Sequence, residues 1–279
     1  MRSFDSKVVF IPGGSTGIGL AVATRLAALG ADVAIFARRK KPLAAAAEEI
    51  GRQRRRGTQR VLWRELDVAD AAQVDAVLGA AVAELGAPDV LINCAGRAIP
   101  NYFERIPLAQ LDETMRVNFY GCWHAVSALL PHMRGRGGYI VNVSSLAGLI
   151  GVFGYTDYSA SKFAVVGFSE ALRSELQRDG ITVSVLCPPD TQTPGFAREN
   201  TTKPPETHAV SAGASVLSAE QVADALLAGM AKRSFLIIPG REARVGHLAK
   251  RLLPRLVDRV MDRQVRAVGG KRPTTDKHR

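Results

Sequence analysis

VVFIPGGSTGIG, residues 8–19, is the stretch that decides the fold. The run Val8 to Ile11 has the length and apolar character of a buried strand. Gly13, Gly17 and Gly19 follow in a G-x-x-x-G-x-G pattern, and an amphipathic run continues from Leu20 to Leu29. A strand, a glycine turn and a helix in that order let backbone amides approach a pyrophosphate while the positive end of the helix faces the anion. Three glycines alone are a weak signal; their position between strand and helix carries the reading.

Outward from this unit the pattern repeats. Strand-length apolar runs recur at 32–36, 60–66, 89–93, 139–144, 182–187 and 235–238. Longer segments with helical spacing lie between them, such as Ala71, Val74, Val77, Leu78, Val82 and Leu85. Strands apolar on both faces that alternate with helices predict an α/β fold with a parallel sheet covered on both sides. Past Pro239 the pattern changes. Val245, Leu248, Leu252, Leu256, Met261 and Val265 form an apolar stripe against Lys250, Arg251, Arg255, Arg259, Arg263 and Arg266, and Pro254 is expected to split that helix. The final residues, 269–279, read as disordered.

Composition bounds the rest. The 279 residues are 47% hydrophobic and 23% charged, enough apolar material for one sizeable core. Cys94, Cys122 and Cys187 are odd in number and each lies in an apolar run, which reads as reduced thiols and excludes a disulfide framework or a metal site. No apolar stretch approaches the roughly 20 residues that span a bilayer. The first ten residues run straight into a strand, so no signal peptide is expected and the chain reads as cytoplasmic. The net charge of +11 is uneven, with twelve Lys or Arg against four acidic residues in 241–279 and a second basic knot, RQRRRGTQR, at 52–60. The knot reads first as a solvated face, and the basic segments lack the interleaved aromatics of a nucleic-acid stacking platform, so no nucleic-acid partner is expected.

The end of the second strand selects the cofactor. An acidic residue there would hold a ribose 2′-hydroxyl, whereas arginine accommodates a 2′-phosphate. Ala37 stands where the acid would be, followed by Arg38 and Arg39, which points to NADP(H) with Arg38 the leading phosphate ligand; the alternative is a surface helix that merely begins with arginines.

Catalytic chemistry is suggested by YSASK, in which Tyr158 and Lys162 are four apart and share one helix face. An ammonium near 4 Å at an effective dielectric of about 20 supplies on the order of 4 kcal/mol, about 3 pK units, which would bring the phenol near neutrality as a general acid or base. Ser145, after the fifth strand, is placed to hydrogen-bond the carbonyl that Tyr158 protonates, with Ser144 on the other side of the pleat. Asn118 falls in a long helical stretch, either in a proton-relay or helix-distorting role through water or as a satisfied core amide. Tyr155 lacks a lysine four residues later and is set aside.

These motifs, with Asp67 in LDV and NCAG at 93–96, stand in the order that resembles the short-chain dehydrogenase/reductase superfamily over about residues 5–240. The resemblance implies a single-domain Rossmann-type fold, a doubly wound parallel sheet of seven strands flanked by helices, with the basic amphipathic extension at 241–279. It implies Asn118, Ser145, Tyr158 and Lys162 as a catalytic tetrad and Asp67 at the adenine. The implied cofactor contacts are Gly13, Ser15, Thr16, Gly17, Ile18, Gly19, Arg38, Arg39, Asp67, Val68, Asn93, Ala95, Gly96, Tyr158, Lys162, Pro188, Thr191 and Thr193. Lys162 would also bind the nicotinamide ribose, and family members commonly pair through the helices bearing Asn118 and Tyr158, so a homodimer or homotetramer is expected. Cys94 in NCAG replaces the commoner second asparagine.

Residues 188–207, PPDTQTPGFARENTTKPPET, bear on the substrate. Two adjacent prolines force the chain out of the sheet. Pro189 stands where most superfamily members carry glycine, and the run resembles the 3-ketodihydrosphingosine reductases, which implies NADPH-dependent reduction of the C3 ketone of 3-ketosphinganine beneath a lid at about 189–217. Phe196, Val210, Val216 and Leu217 are candidates to cover an alkyl chain, and Asp190, Glu199 and Glu206 are unranked candidates for a substrate ammonium. A basic amphipathic tail can lie on an anionic membrane or pack on the body. A reductase of another hydrophobic ketone, such as a 3-oxoacyl thioester or steroid, and a non-enzymatic NADP-sensing or lipid- or nucleic-acid-binding protein, are the alternatives.

Overall fold

A computed structural model describes residues 3–268; the expected disorder of the last eleven residues lies outside the described residues. Seven strands form one parallel sheet: β1 (Val8–Pro12), β2 (Asp32–Ala37), β3 (Val61–Glu65), β4 (Val90–Asn93), β5 (Gly138–Val143), β6 (Ile181–Leu186) and, after a two-stranded ribbon of β7 (Thr191–Gln192) and β8 (Leu217–Ser218), β9 (Leu236–Ile237). Their order is β3-β2-β1-β4-β5-β6-β9, so the winding reverses between β1 and β4. In such sheets the ligand crevice opens beyond the carboxyl ends of the strands at that reversal.

Alternation along each strand feeds two separate cores. From β1, Val9 and Ile11 join a cluster with Val22 and Leu26 of α1 (Gly17–Ala28), Leu43 and Ile50 of α2 (Lys40–Arg52), and Val222 and Leu226 of α9 (Ala219–Ala231). Phe10 points to the opposite face and meets Val74 and Leu78 of α3 (Ala71–Leu85), Leu129 of α5 (Gly121–Met133) and Leu172 of α6 (Thr156–Glu175). The period of two thus explains why strands buried on both sides read as unbroken apolar runs. α3 spans the helical spacing read from Ala71 to Leu85, with Asp70 capping its first turn through a bond from the Gln73 amide.

Between α4 (Leu108–Met115) and α5 lies one π-helical turn, Arg116–Tyr120, which carries Asn118. The long helical stretch expected there runs from α4 through this turn into α5, and the π turn widens it and re-aims its side chains.

The exit from β6 leads to α7 (Pro194–Glu199) and α8 (Pro205–Ser211). The tail forms α10 (Arg241–Leu252) and α11 (Pro254–Ala267), divided as expected at Pro254. Far from hanging free, α11 packs on α8. Val245, Leu248, Leu252, Leu253, Leu256 and Val260 remain at least half exposed on the outer side of this pair. Among the described residues no helix is long and apolar enough to cross a membrane.

The basic knot closes loops. Arg56 donates to the Gly30 carbonyl at 2.9 Å and Arg60 pairs with Asp32 at 3.0 Å, while the buried Gln59 amide donates to the carbonyls of Ala27 and Ala31. These bonds satisfy carbonyls at the end of α1, where a helix leaves its acceptors without partners.

Candidate active site

At the reversal between β1 and β4 a cavity of about 900 Å³ opens, within the range of small-molecule and cofactor sites. Its floor requires glycine. Gly13 has φ +86°, and a Cβ there would stand 2.4 Å from the backbone nitrogen of Ala95. A Cβ on Gly19 would stand 2.3 Å from the Gly13 carbonyl oxygen, and one on Gly17 would stand 2.9 Å from Thr193 Cγ2. Three chain segments therefore meet almost backbone to backbone. The first turn of α1 has no side-chain cap and no acidic residue, so its amides are free to face an anion.

Most of the expected contact residues line this one cavity: Gly13, Ser15, Thr16, Gly17, Ile18 and Gly19 from the loop, Arg38 and Arg39 after β2, Asp67 and Val68 after β3, and Ala95 and Gly96 after β4. Pro188, Thr191 and Thr193 line it beyond β6, with Ser145, Tyr158 and Lys162 between. The Thr193 hydroxyl already accepts the Phe196 amide as the cap of α7, and the Thr191 hydroxyl donates to the Pro189 carbonyl at 2.8 Å.

Two expected residues are not on its wall. Pleat alternation turns Asn93 toward α6, where its amide donates to Asn142 at 2.8 Å and Asn142 donates on to Ser169; it braces β4 and β5 from behind. The buried Asn118 amide donates to the Arg97 carbonyl and the Ser161 hydroxyl, both at 2.9 Å, and accepts the Arg97 amide at 2.8 Å. These bonds fasten the loop after β4 to α6.

Tyr158 sits in the first turn of α6 and Lys162 one turn later, with the Lys162 ammonium 5.6 Å from the phenol ring centre. Lys162 is 3% exposed and donates to the Val143 carbonyl at 2.9 Å, while the buried Ser144 donates to the Lys162 carbonyl. The expectation that the ammonium draws the phenol toward neutrality is corrected. Burial, followed by the nearby Glu199 carboxylate, pushes the Tyr158 phenol above its ordinary range, against the hydrogen bond from Ser145. Burial lowers the Lys162 ammonium as well. Tyr158 is therefore a protonated donor at neutral pH.

The substrate end of the cavity differs from expectation in three ways. Phe196 and Val210 line it, but Val216 is half exposed and Leu217 packs under the sheet-side core, so neither covers the site. Val257, Met261 and Gln264 of α11 supply wall that the tail was not expected to give. Tyr155, set aside above, lies on the wall with its ring 5.5 Å from that of Tyr158, and its hydroxyl donates to Glu199 at 3.1 Å. That contact spans 44 residues and leaves no local signal in the sequence.

Comparison with known proteins agrees with this geometry. The family model described as short chain dehydrogenase matches residues 7–204. The chain is 40% identical over 229 residues to a 3-ketodihydrosphingosine reductase of Bos taurus, covering 81% of this chain and 69% of that one. It is 42% identical over 217 residues to a 3-dehydrosphinganine reductase of Danio rerio, covering 77% and 65%. It thus spans about two thirds of the length of these relatives. Among solved structures, a short chain dehydrogenase/reductase from Burkholderia phymatum in complex with NAD superposes with a TM-score of 0.77 at 28% identity, covering 90% of this chain and 96% of that one.

The chain belongs to the short chain dehydrogenase family of oxidoreductases, which work with a nicotinamide dinucleotide. Within that family its similarity runs to reductases of a long-chain keto base.

Proposed function

We propose that the protein reduces the C3 ketone of 3-ketosphinganine to sphinganine with NADPH. The observation that carries this reading is 40 to 42% identity to two reductases of that ketone across 77 to 81% of the chain. The cavity supports it, since Phe196, Val210, Val257 and Met261 offer apolar wall for an alkyl chain. The glycine loop, Arg38 and Asp67 would hold a reduced nicotinamide dinucleotide, which would supply the hydride for the ketone carbon.

The chain's own groups would handle the oxygen. Tyr158 donates its proton to the developing alkoxide and the Ser145 hydroxyl gives a second hydrogen bond. Lys162, with its ammonium 5.6 Å from the phenol ring centre, offers a positive charge to the resulting phenolate. Asn118 serves by fixing the loop at Arg97 and α6 at Ser161.

The preference for NADPH rests on β2, which ends at Ala37 without a carboxylate and delivers two exposed arginines, Arg38 and Arg39, to the cavity rim. The exposed apolar row on α10 and α11, interleaved with arginines, supports peripheral contact of an otherwise cytoplasmic protein with an anionic membrane. Exposed Tyr120, Trp123 and Phe163 on α5, α6 and the adjoining π turn support pairing of two copies through these helices.

The test of the reaction is NADPH oxidation with 3-ketosphinganine set against a 3-oxoacyl thioester and a steroid ketone. A kcat/KM highest for 3-ketosphinganine supports the reading. A higher value for either other ketone overturns it.

A further inference from the structure

The reaction cavity contains a carboxylate that the transfer of a hydride and a proton does not call for. Glu199, the last residue of α7, lines the wall beside Tyr155 and Tyr158. Its only side-chain hydrogen bond among the described residues comes from the neutral Tyr155 hydroxyl, at 3.1 Å, on one oxygen. A negative charge here works against a tyrosine that must release its proton, and it does raise the Tyr158 phenol. A reductase of a simple ketone gains nothing from it.

Of the two neighbouring acids, one shares the wall but faces a lysine, and the other lies off it. Asp190 pairs at 3.6 Å with Lys203, whose side chain is 2% exposed and whose ammonium also stacks on the Phe196 ring. Glu206 accepts the Tyr102 hydroxyl at 3.0 Å and is not on the cavity wall. Lys203 also acts electrostatically on Glu199, but its ion-pair partner is Asp190. Asp190 also lines the wall, but Lys203 balances its charge; of the two wall acids Glu199 is the one with no ion-pair partner among the described residues.

We propose that Glu199, oriented by the Tyr155 hydroxyl, accepts the ammonium of a substrate that carries an amine on the carbon next to the reacting ketone, so that the site selects 2-aminoketones over simple ketones. The inference rests on the reductase reading above and names the group that recognises the amine. In such a substrate the ammonium is one carbon away from the carbonyl, so a ketone oxygen at Tyr158 brings the cation toward the neighbouring carboxylate. The cation then cancels the charge that otherwise opposes phenolate formation. Glu199 is a specificity-determining residue in this arrangement and Tyr155 a positioning residue.

The experiment compares kcat/KM for 3-ketosphinganine with that for its des-amino analogue, 1-hydroxyoctadecan-3-one, in the full chain and in Glu199→Gln and Tyr155→Phe. The wild type is expected to prefer the amine. Glu199→Gln is expected to reduce the amino to des-amino ratio on the order of 10- to 100-fold, chiefly through KM for the amine, as expected for losing one hydrogen bond between charged groups. Tyr155→Phe keeps the carboxylate but not its orientation, and reduces the ratio several-fold. A general folding defect lowers both substrates together and leaves the ratio in place. If both variants keep the wild-type ratio while the wild type makes sphinganine, the subsite is wrong and the reaction stands. If the wild type turns over only the des-amino ketone, the substrate reading fails and the subsite with it.

Discussion

Gly19→Ala isolates the steric claim on which the cofactor cradle rests. Gly19 lies inside α1 with an ordinary helical conformation, so alanine brings no backbone strain and should favour the helix by roughly 0.5–1 kcal/mol. The contact decides otherwise. The new Cβ would stand 2.3 Å from the Gly13 carbonyl oxygen, and since such contacts need at least 3.0 Å, the loop must retreat by 0.7 Å or more. Gly13 cannot follow freely toward its own Cβ direction, because the Cys94–Ala95 backbone occupies the space where a Cβ on it would stand. Overpacking of this kind costs about 1–3 kcal/mol, equivalent to a fall in Tm of roughly 2 to 12 °C for a chain of this size. A retreat of 0.7 Å also stretches a normal hydrogen bond beyond bonding length, so NADPH affinity should fall about tenfold or more for each amide displaced. Gly79→Ala in α3 is the control: nothing lies within 4 Å of its added Cβ, and the same substitution should stabilise. Thermal melts and fluorescence titration with NADPH measure both. A Gly19→Ala protein as stable and as avid as the Gly79→Ala protein would refute the reasoning.

Arg38→Asp should raise KM for NADPH by on the order of 10- to 100-fold while leaving NADH less affected, because a charge-assisted bond becomes a repulsion; equal effects on the two cofactors would remove Arg38 from the phosphate site. Tyr158→Phe should lower kcat by about 10²- to 10⁴-fold with NADPH binding intact, and normal turnover would dismiss the proton donor. Burial pushes the thiol of Cys187 up to about 12 and that of Cys122 to about 11, so both should resist iodoacetamide at pH 8 in the native protein and label only when it is unfolded. Rapid labelling of a native thiol would show that the core opens there.

The alternation of apolar runs marked all seven strands of the main sheet, and the glycine loop between Val8 and Leu20 marked the end at which the site opens, because both depend on local periodicity. What stayed hidden depended on distant contacts or on elements too short to have a period. β7 and β8 have two residues each. Asn93 was legible as the last residue of a strand but not as facing α6, since that depends on which face of the pleat the register assigns to it. The π turn at Asn118 replaces an i→i+4 pattern that the residue types do not distinguish. The stripe on the tail announced two helices split at Pro254, yet not that Val257 and Met261 would close the cavity while Leu252 and Leu256 stayed outside. Glu199 could be named as a candidate but ranked only once Lys203 was seen to pair with Asp190.

Mass-spectrometric detection of sphinganine from purified protein, 3-ketosphinganine and NADPH tests the central claim most directly. Sphinganine should appear in equal amount to the NADPH consumed, and Tyr158→Phe should abolish both. NADPH consumed on a steroid or 3-oxoacyl thioester with no sphinganine formed from the keto base would contradict the account.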